Sequence, residues 1–162
     1  MKYIMFLVLF IFLFMTGCQQ SGEVKGQQTL NNNEAHLFES KKYGLSISKD
    51  SGWQLIDEKN EERLNIKLSN GTSFSIISAV STEKSFSKIK KELLYGAGDV
   101  EIIKDSKHQI SFETKMKDKI RTDIHLSQNE EFTYVVTFVT SLKGYDEERK
   151  DMEKLLDHIS YD

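Results

Sequence analysis

Cysteine occurs once in this chain, at position 18, and proline not at all. A lone cysteine excludes an intramolecular disulfide, so an exported domain of this length must be held together by its core alone. The region after the first few dozen residues is long enough to bury such a core. A basic excess is also lacking. The formal net charge is -3, and loss of the leader with Lys2 would make the remainder about one unit more acidic. That balance excludes nucleic acid as a partner, because binding it requires a basic patch that displaces counterions. The apolar run Tyr3–Met15 would span roughly 20 Å as a helix, short of the ~30 Å hydrocarbon core. A permanent membrane-spanning helix is therefore not the expectation.

What is present at the N-terminus has the order of a secretory signal: Lys2, then the apolar run, then small residues before a cleavage point. Met15-Thr16-Gly17-Cys18 resembles the lipobox of bacterial lipoproteins, with Met15 where the family usually has Leu. The resemblance implies diacylglycerol in thioether linkage on Cys18 and cleavage between Gly17 and Cys18. Two acyl chains, at ~0.8 kcal/mol per buried methylene, anchor a protein without a spanning helix. Three segments are thus expected: a lipoprotein signal peptide over 1–17, the lipidated Cys18 with a flexible tether over 18–36, and a globular domain over 37–162. The tether expectation rests on composition. Residues 19–33 are rich in amides and glycine, with too few apolar groups to offset chain entropy.

From Ala35 onward the pattern is strand with two helical interruptions. Leu64, Ile66 and Leu68 alternate with polar neighbours, Asn70-Gly71 follows, and Phe74 and Ile76 alternate again, the signature of a hairpin. Ile110, Phe112 and Thr114 share a face, as do Ile120, Thr122, Ile124 and Leu126. The segment from Phe132 to Val139 is apolar on both faces, which predicts a central strand covered on both sides. The covers are expected to be helices over about Lys84 to Tyr95, halted by Gly96-Ala97-Gly98, and over about Tyr145 to His158, with acids at its start. The fold class is α+β: a twisted antiparallel sheet flanked by two main helices.

Tyr43-Gly44-Leu45-Ser46-Ile47-Ser48, then Gly52-Trp53, resembles the opening of PsbP-like domains. The closing is similar too: Tyr134 to Phe138, a Lys143-Gly144-Tyr145 turn, a terminal helix, and a final Ile159-Ser160-Tyr161 strand. The resemblance covers nearly all of 37–162, with Lys49-Asp50-Ser51 where the family usually has proline. It implies a generally non-enzymatic fold found in many bacterial lipoproteins, and no residue here points to a photosystem. A cystatin-like or nuclear-transport-factor-like curved sheet fits the same pattern.

The four histidines, His36, His108, His125 and His158, lack the spacing that sets two metal ligands on one face. His125, opposite Ile124 and Leu126, is expected to be solvated. Ser85-Phe86-Ser87-Lys88 matches Ser-x-x-Lys, but at a helix start Ser85 reads as an N-cap. Trp53 reads as a core anchor, and Lys84, Lys88, Lys90 and Lys91 as the solvated side of a helix. Gly96-Ala97-Gly98-Asp99 reads as a helix stop. No residue is assigned a catalytic, cofactor-binding or metal-binding role. The expected function is that of a lipid-anchored, non-enzymatic accessory domain at the extracytoplasmic face of the cell membrane, held by lipid on Cys18 and recruiting a protein partner there. Exclusion by a mobile element or prophage is one form of this class. A small-ligand or envelope-polymer binder is the alternative, and a cell-wall enzyme ranks below it.

Overall fold

The structure is a computed structural model that describes residues 36–59 and 63–162. The signal, Gly17, the lipobox Cys18 and the tether up to Ala35 lie outside the described residues. Among the described residues, ten strands and two α-helices make up the domain. β1 (His36–Ser40) and β2 (Leu45–Ser48), each followed by one 3-10 turn, lead to β3 (Gln54–Lys59), β4 (Asn65–Ser69) and β5 (Phe74–Ser81). Helix α1 (Phe86–Ala97) follows, then β6 (Val100–Ser106), β7 (Gln109–Thr114), β8 (Ile120–Gln128) and β9 (Phe132–Ser141). Helix α2 (Tyr145–Asp157) and β10 (Ile159–Tyr161) close the chain. β1 thus begins at His36, the last residue of the expected tether.

The α+β class is as the sequence indicates, but the strands form two antiparallel sheets rather than one. Seven strands in the order β3-β4-β5-β9-β8-β7-β6 make the large sheet, and β1-β2-β10 make a small one. β9 is the central strand of the large sheet, as its two-sided apolar pattern predicts. On one face α1 packs Ile89, with Phe86 and Leu93, against Ile110, Phe112, Ile124, Leu126 and Val135. On the other, α2 and the small sheet enclose Trp53, Ile66, Leu68, Ile77, Tyr134, Val136, Phe138, Met152 and Leu155. Ile159, which continues the apolar face of the second helix in sequence, belongs instead to β10, next to Ile47.

Local chemistry sets the boundaries. The Ser85 Oγ accepts from the Lys88 N–H at 3.3 Å and caps α1. Gly96 lies inside that helix, and Gly98, at φ +78°, ends it. At the hairpin, Ser69 pairs with Phe74, so the loop has four residues. Asn70 Oδ1 accepts from the N–H groups of Thr72 and Ser73 (3.1 and 2.8 Å). Its Nδ2 donates to Glu148 at 2.7 Å, which fastens the loop to α2. This register puts Ser75 and Ile77 inward beside Leu68 and Ile66, and turns Phe74 and Ile76 to the opposite face.

Among the described residues, Gly44 is the one glycine that close packing demands. A Cβ there would come within 2.8 Å of the Asp162 carbonyl oxygen, and φ is +53°. The Asp162 N–H donates to the Gly44 carbonyl at 2.9 Å, and the Tyr134 hydroxyl donates to the Tyr43 carbonyl. Asn129 donates to both the Tyr134 hydroxyl and the Asp162 carbonyl. The Tyr43-Gly44 motif therefore marks where the first part of the domain meets its last residue.

Candidate functional site

In a β-sheet, successive side chains point to opposite faces, so the pairing register sorts residues by face. Lys104, Ser111, Asp123 and Phe138 form one row across β6, β7, β8 and β9, and Gln109, His125 and Val136 form the next. These rows lie on the α2 side. There the β9 half is apolar and roofed, whereas the β6–β8 half is polar and only partly covered. The result is a cleft of about 320 Å³, floored by Gln109, Arg121, Asp123 and His125 and walled by Tyr145, Arg149, Met152 and Leu156 of α2.

Arg121 organises the floor. Its side chain is only 10% exposed, and its guanidinium bonds Glu113 Oε1 from Nη1 at 3.3 Å and Asp123 Oδ1 from Nη2 at 3.2 Å. Nε also donates to Asp123. The Tyr145 ring lies 4.7 Å from the Arg121 Cζ, a cation–π contact that further fixes the fork. Burial by itself would lower the guanidinium's affinity for its proton. The hydrogen bond and charge of Asp123 outweigh that, and the group is held above its ordinary value. Burial, reinforced by Asp123, likewise raises the Tyr145 hydroxyl. Buried charges of this kind are costly unless each is paired, and here the pairing is reciprocal.

His125 corrects the sequence expectation. It does lie opposite Ile124 and Leu126, but it is half-buried rather than solvated, because α2 reaches over it and its ring meets Phe138 edge-on at 5.9 Å. Burial pushes its imidazole below the ordinary value; Lys104 adds to this and Asp123 opposes it. The unfolded chain therefore takes up the proton more readily than the folded one. Stability from this residue is fully present above the ordinary imidazole value, declines as pH falls through it, and levels off below the depressed folded value. Urea titrations across that range should show this decline for the wild type and a shallower one for His125→Gln.

The other residues singled out in the sequence do not converge. His108 occupies the β6–β7 turn against Phe86, and His158 caps α2 through Nδ1 to the Lys154 carbonyl at 2.8 Å. His36 opens β1 opposite Ser48. Among the described residues, no three His, Cys, Asp or Glu side chains are grouped to hold a metal ion. Lys84 pairs with Glu92, and Lys90 with Asp105 and the Ser106 carbonyl, while Lys88 and Lys91 point to solvent. Asp99 pairs with Lys115 at 2.6 Å. Trp53 is a core residue, as expected.

A second feature lies on the opposite face, beyond the footprint of α1. Phe74 pairs with Val139, Ile76 stands two residues along β5, and Ile120 is diagonal to Val139. Phe74, Ile76 and Ile120 are 44%, 36% and 38% exposed. Lys67, from the neighbouring strand, sets its ammonium 4.8 Å from the centre of the Phe74 ring. Exposed Ile56 and Ile103 have a different origin. Each sits where the register shifts on an edge strand, β3 or β6, and such bulges blunt edges against further pairing.

Among the described residues no helix is long and apolar enough to cross a membrane. No protein-family model matches the chain, and no curated protein matches its sequence. Several solved structures are similar to it, including the following two. One is a crystal structure from Bacteroides thetaiotaomicron VPI-5482, with TM-score 0.47 and 15% identity, covering 77% of this chain and 47% of that one. This chain thus spans about half the length of that protein. The other is the solution structure of cyanobacterial PsbP (CyanoP) from Synechocystis sp. PCC 6803, with TM-score 0.46 and 9% identity, covering 77% of this chain and 91% of that one. The likeness is one of fold.

Proposed function

We propose that this chain is a lipid-anchored, non-enzymatic accessory domain that binds a protein partner at the extracytoplasmic face of the cell membrane. The observation that carries the binding part is the uncovered apolar patch of Phe74, Ile76, Ile120 and Val139. Neighbouring apolar side chains left open on one sheet face are a common mark of a protein contact. The anchor part rests on the Met15-Thr16-Gly17-Cys18 motif. The PsbP-like resemblance, which implies a generally non-enzymatic fold, is in keeping with this reading.

Crosslinking of the full-length protein in living cells tests both parts. Wild type should capture a specific membrane protein. The double variant Phe74→Glu, Ile76→Glu should lose that adduct roughly tenfold, as expected when charge enters an apolar contact. Its fold should be retained at a cost of about 1–2 kcal/mol, since both side chains are only partly exposed. Adducts indifferent to the double change would remove the patch from the proposal. Cys18→Ala should abolish acyl labelling and the adduct together. Continued uptake of labelled lipid by that variant would end the anchor reading.

A further inference from the structure

We propose that the cleft between α2 and β6–β8 is a binding site for a small organic anion, a carboxylate carrying a short apolar or aromatic body. The site lies on the sheet face opposite the apolar patch, so it stands apart from the docking reading.

The argument begins with the charges. Asp123 is engaged by Arg121, and Glu153 by Arg149 at 3.5 Å on the same helix. Lys104 lines the cleft with no carboxylate within ion-pair distance among the described residues. With Glu113 matched to Lys119 at 3.4 Å, Asp123 to Arg121 and Glu153 to Arg149, Lys104 is the cation left unmatched at the β6 side of the cleft. Arg121 adds directed donors. A guanidinium has about five N–H groups, and the hydrogen bonds to Glu113 and Asp123 occupy Nε and one N–H on each terminal nitrogen. Two N–H groups remain beyond those the carboxylates take, on a guanidinium that lines the cleft beside Tyr145. A buried, fixed fork is a better carboxylate receptor than a mobile lysine, because its orientation is set before the ligand arrives.

The wall opposite these cations carries apolar groups beside the paired Arg149 and Glu153. Met152 and Leu156 of α2 face the cleft beside the Tyr145 ring. A site with cations on one side and a thioether, a leucine and a ring on the other discriminates by both charge and shape. Its volume is at the small end of the range for ligand pockets, which begins near 300 Å³. His125, lowered chiefly by burial and to a smaller degree by Lys104, supplies a reporter. An anion seated beside Lys104 offsets that cation and returns the imidazole toward its ordinary value.

The test uses the full-length chain in detergent micelles, with benzoate as probe and benzamide as its uncharged counterpart of the same shape. The NMR signals of the Arg121 Nε–H and the His125 ring are followed. Benzoate is expected to shift both signals saturably in the millimolar range or tighter and to raise the His125 titration midpoint. Benzamide should bind at least roughly tenfold more weakly, in line with the added strength of a charged hydrogen bond. Lys104→Gln, an exposed change on an edge strand, should weaken benzoate several-fold and abolish the rise in the His125 midpoint. Absence of saturation by benzoate, equal binding of benzamide, or a Lys104→Gln variant that binds benzoate like wild type would each overturn the proposal.

Discussion

Replacing Trp53 with alanine is expected to be the most damaging single change in the domain, costing about 3–5 kcal/mol. The indole is 3% exposed and packs at 6.0 Å, tilted by 57°, against the Phe138 ring on the central strand. Its Nε1–H donates to the Asp151 carbonyl at 3.2 Å, a contact between residues 98 apart in sequence. Truncation removes the area, leaves a cavity between α2 and the central strand, and takes a donor from a helix carbonyl. A domain of this size commonly has only about 5–15 kcal/mol of stability, so this loss is a large share of it. Urea unfolding followed by far-UV circular dichroism gives the number. Trp53→Phe, which keeps most of the ring but not the N–H, should fall between. A cost below about 1 kcal/mol for alanine would mean the site collapses around the gap, and that the Trp is not the anchor assigned here.

Arg121→Met is the second large effect, at about 3–5 kcal/mol, and it has the opposite origin. No great apolar area is lost. The damage comes from leaving Glu113 and Asp123, 8% and 3% exposed, without their shared cation. The distinguishing prediction is rescue. Adding Glu113→Gln and Asp123→Asn to Arg121→Met should recover much of the loss, because the amides need no counter-charge. Charge removal would not repair a cavity. If the triple variant is as unstable as the single, packing of the guanidinium on Tyr145 dominates and the charge argument fails.

The architecture was legible wherever apolar spacing was regular. β9 is apolar on both faces because it lies in the middle of seven strands, and both helices show their packed faces at helical spacing. β6 was not legible: Val100-Glu101-Ile102-Ile103-Lys104 has no clean alternation, because the register shifts between Ile102 and Lys104. β3 is obscured in the same way around Ile56. The inward face of β5 could not be read from alternation alone. Phe74 and Ile76 look like core and Ser75 like surface, and only the four-residue loop reverses them. The cleft left almost no trace. Glu113, Arg121, Asp123 and His125 sit at alternate positions on β7 and β8, where the period of two reads as a solvated face, and the burial comes from α2, far along the chain. A run of charges alternating with Ile120, Thr122 and Ile124 was the available signal. It became a site only when α2 was laid across it.

The small sheet places β2 between the first and last strands of the domain, and the large sheet seats β5 beside β9 across an intervening helix and three strands. Pairings so distant in the chain give a high contact order, which slows folding relative to a helical domain of equal stability. β2 cannot gain its second neighbour until Ile159–Tyr161 has been made, and the Tyr134 hydroxyl cannot be enclosed before then. An incomplete chain therefore holds an open strand edge and an exposed apolar layer. Closure of the small sheet therefore waits on the C-terminal strand, and comes after every strand of the large sheet has been made.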